Sequence, residues 1–215
     1  DTLGSRSVAL GYFALRNQNF TSATNSYNTA LGFAAGEAIT TGVQNTLIGG
    51  LAGDANTTGA NNTTLGYLSL TANTTGSGNV ALGKAALESN TTADNNTAVG
   101  KDTLRLNTTG HSNTAVGSLS GDAITTGAGN TAVGLGSLSA TTTANFNTGL
   151  GYQSLLVNTT GAENTAIGSA SLDANTTGAG NTAVGLGSLS ATTTANFNTA
   201  VGYQALLLNT TAANN

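Results

Sequence analysis

Residues 175–206 read NTTGAGNTAVGLGSLSATTTANFNTAVGYQAL. The phrase NTAVG opens twice within them, at Asn181 and Asn198, 17 residues apart. Outward from there, the same Asn recurs at 28, 45, 62, 79, 96, 113, 130, 147, 164, 181, 198 and 215, and every gap is 17. Eleven full units fill residues 28–214, and Asn215 opens a twelfth. A strict period of this size marks a solenoid, because one such unit cannot bury its apolar face and a stack of them can. Residues 125–148 and 176–199 are identical, offset by three units. Ser7-Val8-Ala9-Leu10-Gly11 lies 21 residues before Asn28-Thr29-Ala30-Leu31-Gly32. Residues 1–27 are therefore expected to form an irregular first coil with a longer loop, and residues 28–215 one continuous solenoid.

Each unit is numbered here 1–17 from its Asn. Position 2 is Thr except at Val80, position 3 is small and usually Ala, and position 4 is always Val, Leu or Ile. Position 5 is always Gly, position 9 is Leu in eight units and Gly in three, and positions 13 and 14 are always Thr. Gly, Thr and Asn are weak helix formers, so helix is disfavoured. Thr-Ala-Val has the two-residue period of a short strand. Positions 2 and 4 share one face, which is assigned to the interior. A second strand is expected over positions 7–9, turning the Leu at 9 inward. Position 3 then faces away from 2 and 4, and its Ala series fits a close subunit contact. The stretch at 12–15, often Asn-Thr-Thr-Gly, is turn chemistry.

The expected fold is all-β, a parallel β-solenoid of 17-residue coils about 4.8 Å apart. Each residue then stacks on its own copy. Asn side chains can hydrogen-bond along such a stack, which assigns Asn96, Asn113, Asn130 and Asn181 to a structural ladder. Gly100, Gly117, Gly134 and Gly185 mark the bend that follows each strand. Stacked like charges repel, in keeping with a chain in which only 7% of residues are charged. The charges gather at position 10 (Glu37, Asp54, Glu88, Arg105, Asp122, Asp173) and at position 6 (Lys84, Lys101).

Composition narrows the function. Net charge is −4 and only five residues are Lys or Arg, which is no nucleic-acid footprint. No apolar run reaches membrane-spanning length. The first residues do not read as a secretory leader, and the chain is taken as a mature fragment. Cys is absent, which removes disulfides and thiolate metal sites. His111, the one His, sits beside Gly110, Ser112 and Asn113 and lacks an activating partner for acid–base work. Lys101, Asp102 and Arg105 read as a solvated charge cluster. Gly-rich turns at 127–130 and 178–181 carry Asn where a calcium roll needs recurring Asp. Gly134-Leu135-Gly136 lacks the third Gly and the helix of a phosphate loop. No catalytic, cofactor or metal residue is assigned. Asn-Thr-Thr recurs at 56–58, 73–75, 90–92, 107–109, 158–160, 175–177 and 209–211 and matches the glycosylation acceptor pattern, although turn and ladder already explain it. Tyr67, Tyr152 and Tyr203 share position 6 with Phe33, and an exposed Tyr row could stack on sugar rings. Phe146 and Phe197 share position 17.

Ser7-Val8-Ala9-Leu10-Gly11 and the Asn-Thr-Ala-Val-Gly phrases resemble the head repeats of trimeric autotransporter adhesins. The longer phrase NTAVGYQALLLNTT at 198–211 is similar to repeat arrays of phage tail-fibre proteins. The adhesin head unit is shorter than 17 residues. The resemblance implies a left-handed parallel roll, three chains about one axis, structural roles for positions 1, 4 and 5, and no catalytic residue. The function expected is a non-enzymatic structural or adhesive fibre segment, extracellular, on a cell or virion surface. Its expected partners are copies of itself (trimer favoured), end-to-end neighbours or flanking domains, and a surface glycan or receptor. Neither nucleic acid nor membrane insertion is expected. Asp1-Thr2-Leu3-Gly4 reads as a partial repeat and Asn215 as the opening of another, so further repeats or domains are expected at both ends. The alternatives are an ice-binding Thr/Asn-ladder solenoid and a self-assembling extracellular filament subunit. A carbohydrate-degrading β-helix is disfavoured because no carboxylate pair recurs.

Overall fold

The computed structural model describes residues 4–215; Asp1-Thr2-Leu3 of the expected partial repeat lies outside them. The protein is all-β, a parallel β-solenoid with a 17-residue repeat, in two compact units that divide after Thr109. The first unit holds β1 (Gly4–Ser5), β2 (Val8–Leu10), β3 (Thr24–Asn25), β4 (Thr29–Leu31), β5 (Thr46–Ile48), β6 (Thr63–Leu65), β7 (Val80–Leu82) and β8 (Thr97–Val99). The second holds β9 (Thr114–Val116), β10 (Thr131–Val133), β11 (Thr148–Leu150), β12 (Thr165–Ile167), β13 (Thr182–Val184) and β14 (Thr199–Val201). Within each unit consecutive coils pair in parallel with like over like, as in Thr131↔Thr148, Ala132↔Gly149 and Val133↔Leu150. In the first coil, β1 pairs with β3 and β2 with β4. Between Gln18 and β3 the chain loops out, and Phe20 folds back to a buried position.

Strands stop after three residues because of the Gly that follows. Its φ runs from 126° to 149° along the chain, a region that side chains rarely enter. A Cβ on Gly134 would stand 2.4 Å from the carbonyl oxygen of Gly151 in the next coil. Beyond this Gly the expected second strand does not form. Positions 5–12 make successive tight turns instead. In the coil opened by Asn28, Ala35 N–H donates to Gly32 O, Glu37 to Ala34 and Ile39 to Gly36, at 3.5, 3.2 and 3.1 Å. The third residues of the first two turns, Ala34 and Gly36, have φ of 53° and 59°, the type II signature. Every Leu at position 9 takes the same left-handed value, between 48° and 55°. Such a residue costs on the order of 1–3 kcal/mol, and burying a Leu contributes roughly 1.5–3 kcal/mol. The two nearly cancel. Backbone bonds between coils, such as Leu138 N–H to Ser154 O at 3.0 Å, tip the balance. A strand would also satisfy those groups, but not within a 17-residue loop that must close on itself.

The face assignment of the strands is reversed from the sequence reading. Position 3 is the interior residue: Ala132 is 1% exposed, and Ala81, Ala98, Ala115, Ala166 and Ala183 are fully buried. Positions 2 and 4 point outward, with Leu31 43% and Leu65 52% exposed. The reason is volume. Position 3 meets the wall formed by positions 8 and 9, so that a Cβ on Gly149 would lie 2.5 Å from Ser137 Oγ and 3.3 Å from Leu138 Cγ. Small residues fit: most coils carry Ala, and Thr64, the size of Val, is fully buried in the coil that follows Gly53. The exception supports this. Leu47 is the one Leu at position 3, and positions 9 beside it are Gly36 and Gly53; a Cβ on them would come within 2.6 and 3.0 Å of the Leu47 methyls. At Gly121, the third Gly at position 9, the fully buried Ile124 occupies position 12. The Ala series therefore supplies core, and the argument from it to a subunit contact falls.

Candidate functional site

The polar core is a pair of amide ladders. Asn130 Nδ2 donates to Asn113 Oδ1 at 3.1 Å and to Ala144 O at 2.9 Å, and Asn130 N–H also donates to Asn113 Oδ1 at 2.9 Å. Asn181 repeats the set with Asn164 and Ala195. Asn96 N–H donates to Asn79 Oδ1 at 3.0 Å. The second ladder runs at position 12, where Asn56, Asn73 and Asn90 are linked by bonds of 3.0 and 2.9 Å. These buried amides belong to the Asn-Thr-Thr triplets, so their glycosylation is incompatible with the folded coil. Position 13 adds a Thr ladder in which hydroxyls donate to the next Thr carbonyl, as Thr74 does to Thr91 at 3.1 Å and Thr91 to Thr108 at 3.1 Å. Its neighbour at position 14 is an exposed Thr column.

The second ladder has a flaw. Asn175 donates to Asn158 and Gly178, but its buried Oδ1 has no partner, because the next coil carries Thr192, which donates to Asn209 O at 2.8 Å. Thr192→Asn supplies the missing donor and continues the ladder. The expected result is a gain of about 1 kcal/mol, read as a higher melting temperature.

Burial raises the Asp173 carboxyl above the usual carboxylate value, and it raises Asp54 likewise, opposed there by the Thr71 hydroxyl that donates to it. A raised folded-state value means that protonation favours folding. That contribution is full below 3.8, the ordinary value, and is lost as pH rises through the folded value. Asp173→Asn should therefore melt higher than the wild type at pH 7, with the gap closing on acidification toward pH 3.8; a gap that widens would contradict the assignment.

The remaining candidates stand apart. His111 is exposed, with Nδ1 3.2 Å from Ser112 Oγ. Lys101 Nζ lies 3.4 Å from its neighbour Asp102. Among the described residues no three metal-ligating side chains gather, and no helix is long and apolar enough to cross a membrane. Tyr67, Tyr152 and Tyr203 are 53%, 50% and 73% exposed. Tyr152 and Tyr203 lie three coils apart, roughly 14 Å at the strand spacing. The rings that meet are Tyr12 and Phe33, stacked at 6.1 Å, with Phe13 beside them. Tyr12 follows Gly11 as Phe33 follows Gly32, so it heads the position 6 row, a register legible from the Ser7–Gly11 phrase alone. Phe146 packs on Gly129 and Phe197 on Gly180, where a Cβ would stand 2.7 Å from the ring.

What repeats on every coil is the outward strand face. Position 2 gives a Thr column and position 4 an aliphatic column, with aromatic or Leu side chains at position 6 on several coils. In the second unit six strands carry Val116, Val133, Leu150, Ile167, Val184 and Val201 in line, a column about 24 Å long. Long apolar columns of this kind mark an interaction surface more often than a solvated one. Comparison of the chain with protein families, curated proteins and solved structures finds no match.

Proposed function

We infer that this chain is a non-enzymatic structural and adhesive fibre segment, extracellular, on a cell or virion surface. Three copies assemble in parallel through the outward strand face, with left-handed coils, and further repeats or neighbouring domains continue the fibre end to end. The observation that carries the reading is the aliphatic column at position 4. It is continuous within each unit and offers the same chemistry on every coil, as an interface parallel to the coil stack requires. The adhesin-like phrases support the number three. Exposed aromatics such as Tyr67, Tyr152 and Tyr203 suit contact with a glycan or receptor. Sedimentation equilibrium on residues 1–215 is the test. A mass of three chains is expected, and a monodisperse monomer at all concentrations overturns the assembly.

A second reading has its own observation. Thr at position 2 and an aliphatic at position 4 both face outward, a regular Thr-x-aliphatic array suited to ice. Thermal hysteresis measured on the monodisperse protein separates the readings, because a face buried between subunits cannot engage ice.

A further inference from the structure

Beside the strand face, past Leu135 at position 6, the second unit carries a groove of about 340 Å³. It spans three consecutive coils and is built from two rows. At position 7 the row is Leu119, Gly136, Gln153; at position 10 it is Asp122, Ser139, Leu156. The central member of each row is small, and that makes the dent. A Cβ on Gly136 would meet nothing nearer than Gln153 Cγ at 3.7 Å. The volume is that of a small-ligand site.

The lining chemistry is specific. Asp122 brings a carboxylate, Ser139 a hydroxyl and Gln153 an amide that both donates and accepts. Leu119, Leu156 and Leu135 at the rim supply apolar wall. Hydroxyl groups on one side and C–H on the other describe a neutral pyranose. The carboxylate and the absence of Lys and Arg from the lining disfavour an anion. The pattern also recurs. Three coils on, the rows read Ala170, Gly187, Gln204 and Asp173, Ser190, Leu207, and Gly187 is equally open, with Gln204 Cγ 3.5 Å from a built Cβ.

We propose that the Gly136 groove is a binding site for a neutral hexose unit of a glycan, and that the Gly187 region is its second copy. This names a ligand class for the adhesive part of the reading above and rests on that part. The probes are cellobiose and lactose, with glucuronic acid as the charged counterpart, titrated at millimolar concentration into isotope-labelled protein. Saturable amide shifts at Gly136 and Gln153, and again at Gly187 and Gln204, are expected from a neutral sugar and not from glucuronate. Gly136→Leu closes the groove without straining the fold, since Leu51, Leu68 and Leu119 hold the same position at φ of 56°, 58° and 56°. It should weaken the first set at least about tenfold and spare the second; adding Gly187→Leu should remove both. The proposal is overturned if neither neutral sugar gives saturable shifts, if glucuronate binds as well, or if binding survives the double substitution. The subunit mass, measured on the same samples, keeps the outcomes apart. A trimer that ignores sugars loses the groove and keeps the fibre, and a monomer that binds them loses the fibre and keeps the groove.

Discussion

Ala132→Asp should unfold the second unit's coils at far lower temperature than the wild type, a loss of roughly 3–5 kcal/mol from an unpaired buried charge. Val133→Asp, one residue on, should cost the isolated chain only about 1 kcal/mol, the scale of strand propensity. Ala132 is 1% exposed and faces the wall of positions 8 and 9, whereas the Val133 side chain leaves the opposite face of the same strand. The pair also reports on assembly. Val133→Asp places a charge in the aliphatic column, so sedimentation should show the trimer mass lost while circular dichroism shows the coil retained. If the two substitutions melt alike, the interior has been assigned to the wrong face.

The second large effect is expected from one methyl group. Gly134→Ala should cost at least about 4 kcal/mol, in the class reserved for specific structural failures. Gly134 has φ of 130°, and the added Cβ would sit 2.4 Å from the Gly151 carbonyl oxygen. Backbone cannot yield there as a flexible side chain could. Relief requires the coils to part, which breaks the 2.8 Å bond from Gly151 N–H to Val133 O. Gly136→Ala is the control. Its φ of 65° is shared by Ala and Leu at the same position in other coils, and its Cβ has room. Thermal melts should place that variant within about 1 kcal/mol of the wild type. Equal losses would mean that left-handed φ alone, and not contact between coils, explains the Gly series.

The period, the parallel stacking, the in-register Asn and Thr columns and the requirement for Gly at position 5 are legible in the chain alone. All of these follow from one fact, that a residue repeated every 17 positions must lie on its own copy, so its chemistry has to tolerate itself at strand spacing. Asn amides pair and Thr hydroxyls donate along the stack, while charges are few, with Glu37 on Asp54 and Lys84 on Lys101 the like-charged neighbours at one unit position. Which side of the strand faces inward depends on how the coil closes across its interior. Alternation in Thr-Ala-Val says that positions 2 and 4 share a face and cannot say which face, and hydrophobicity points to the larger aliphatic. Space across the coil overrules it, because Leu138 and its equivalents already fill the interior and leave room for a small side chain. A trace of this was legible in the chain, where Leu47 stands between Gly36 and Gly53, but it gains meaning only once position 3 is seen to touch position 9. The turns over positions 5–12 were hidden for a related reason. Leu, Ala and Gln give no local signal for left-handed φ; closure of a narrow coil and hydrogen bonds to its neighbours impose it. The groove at Gly136 is hidden in the same way, since its two rows come from three coils and meet only when those coils stack.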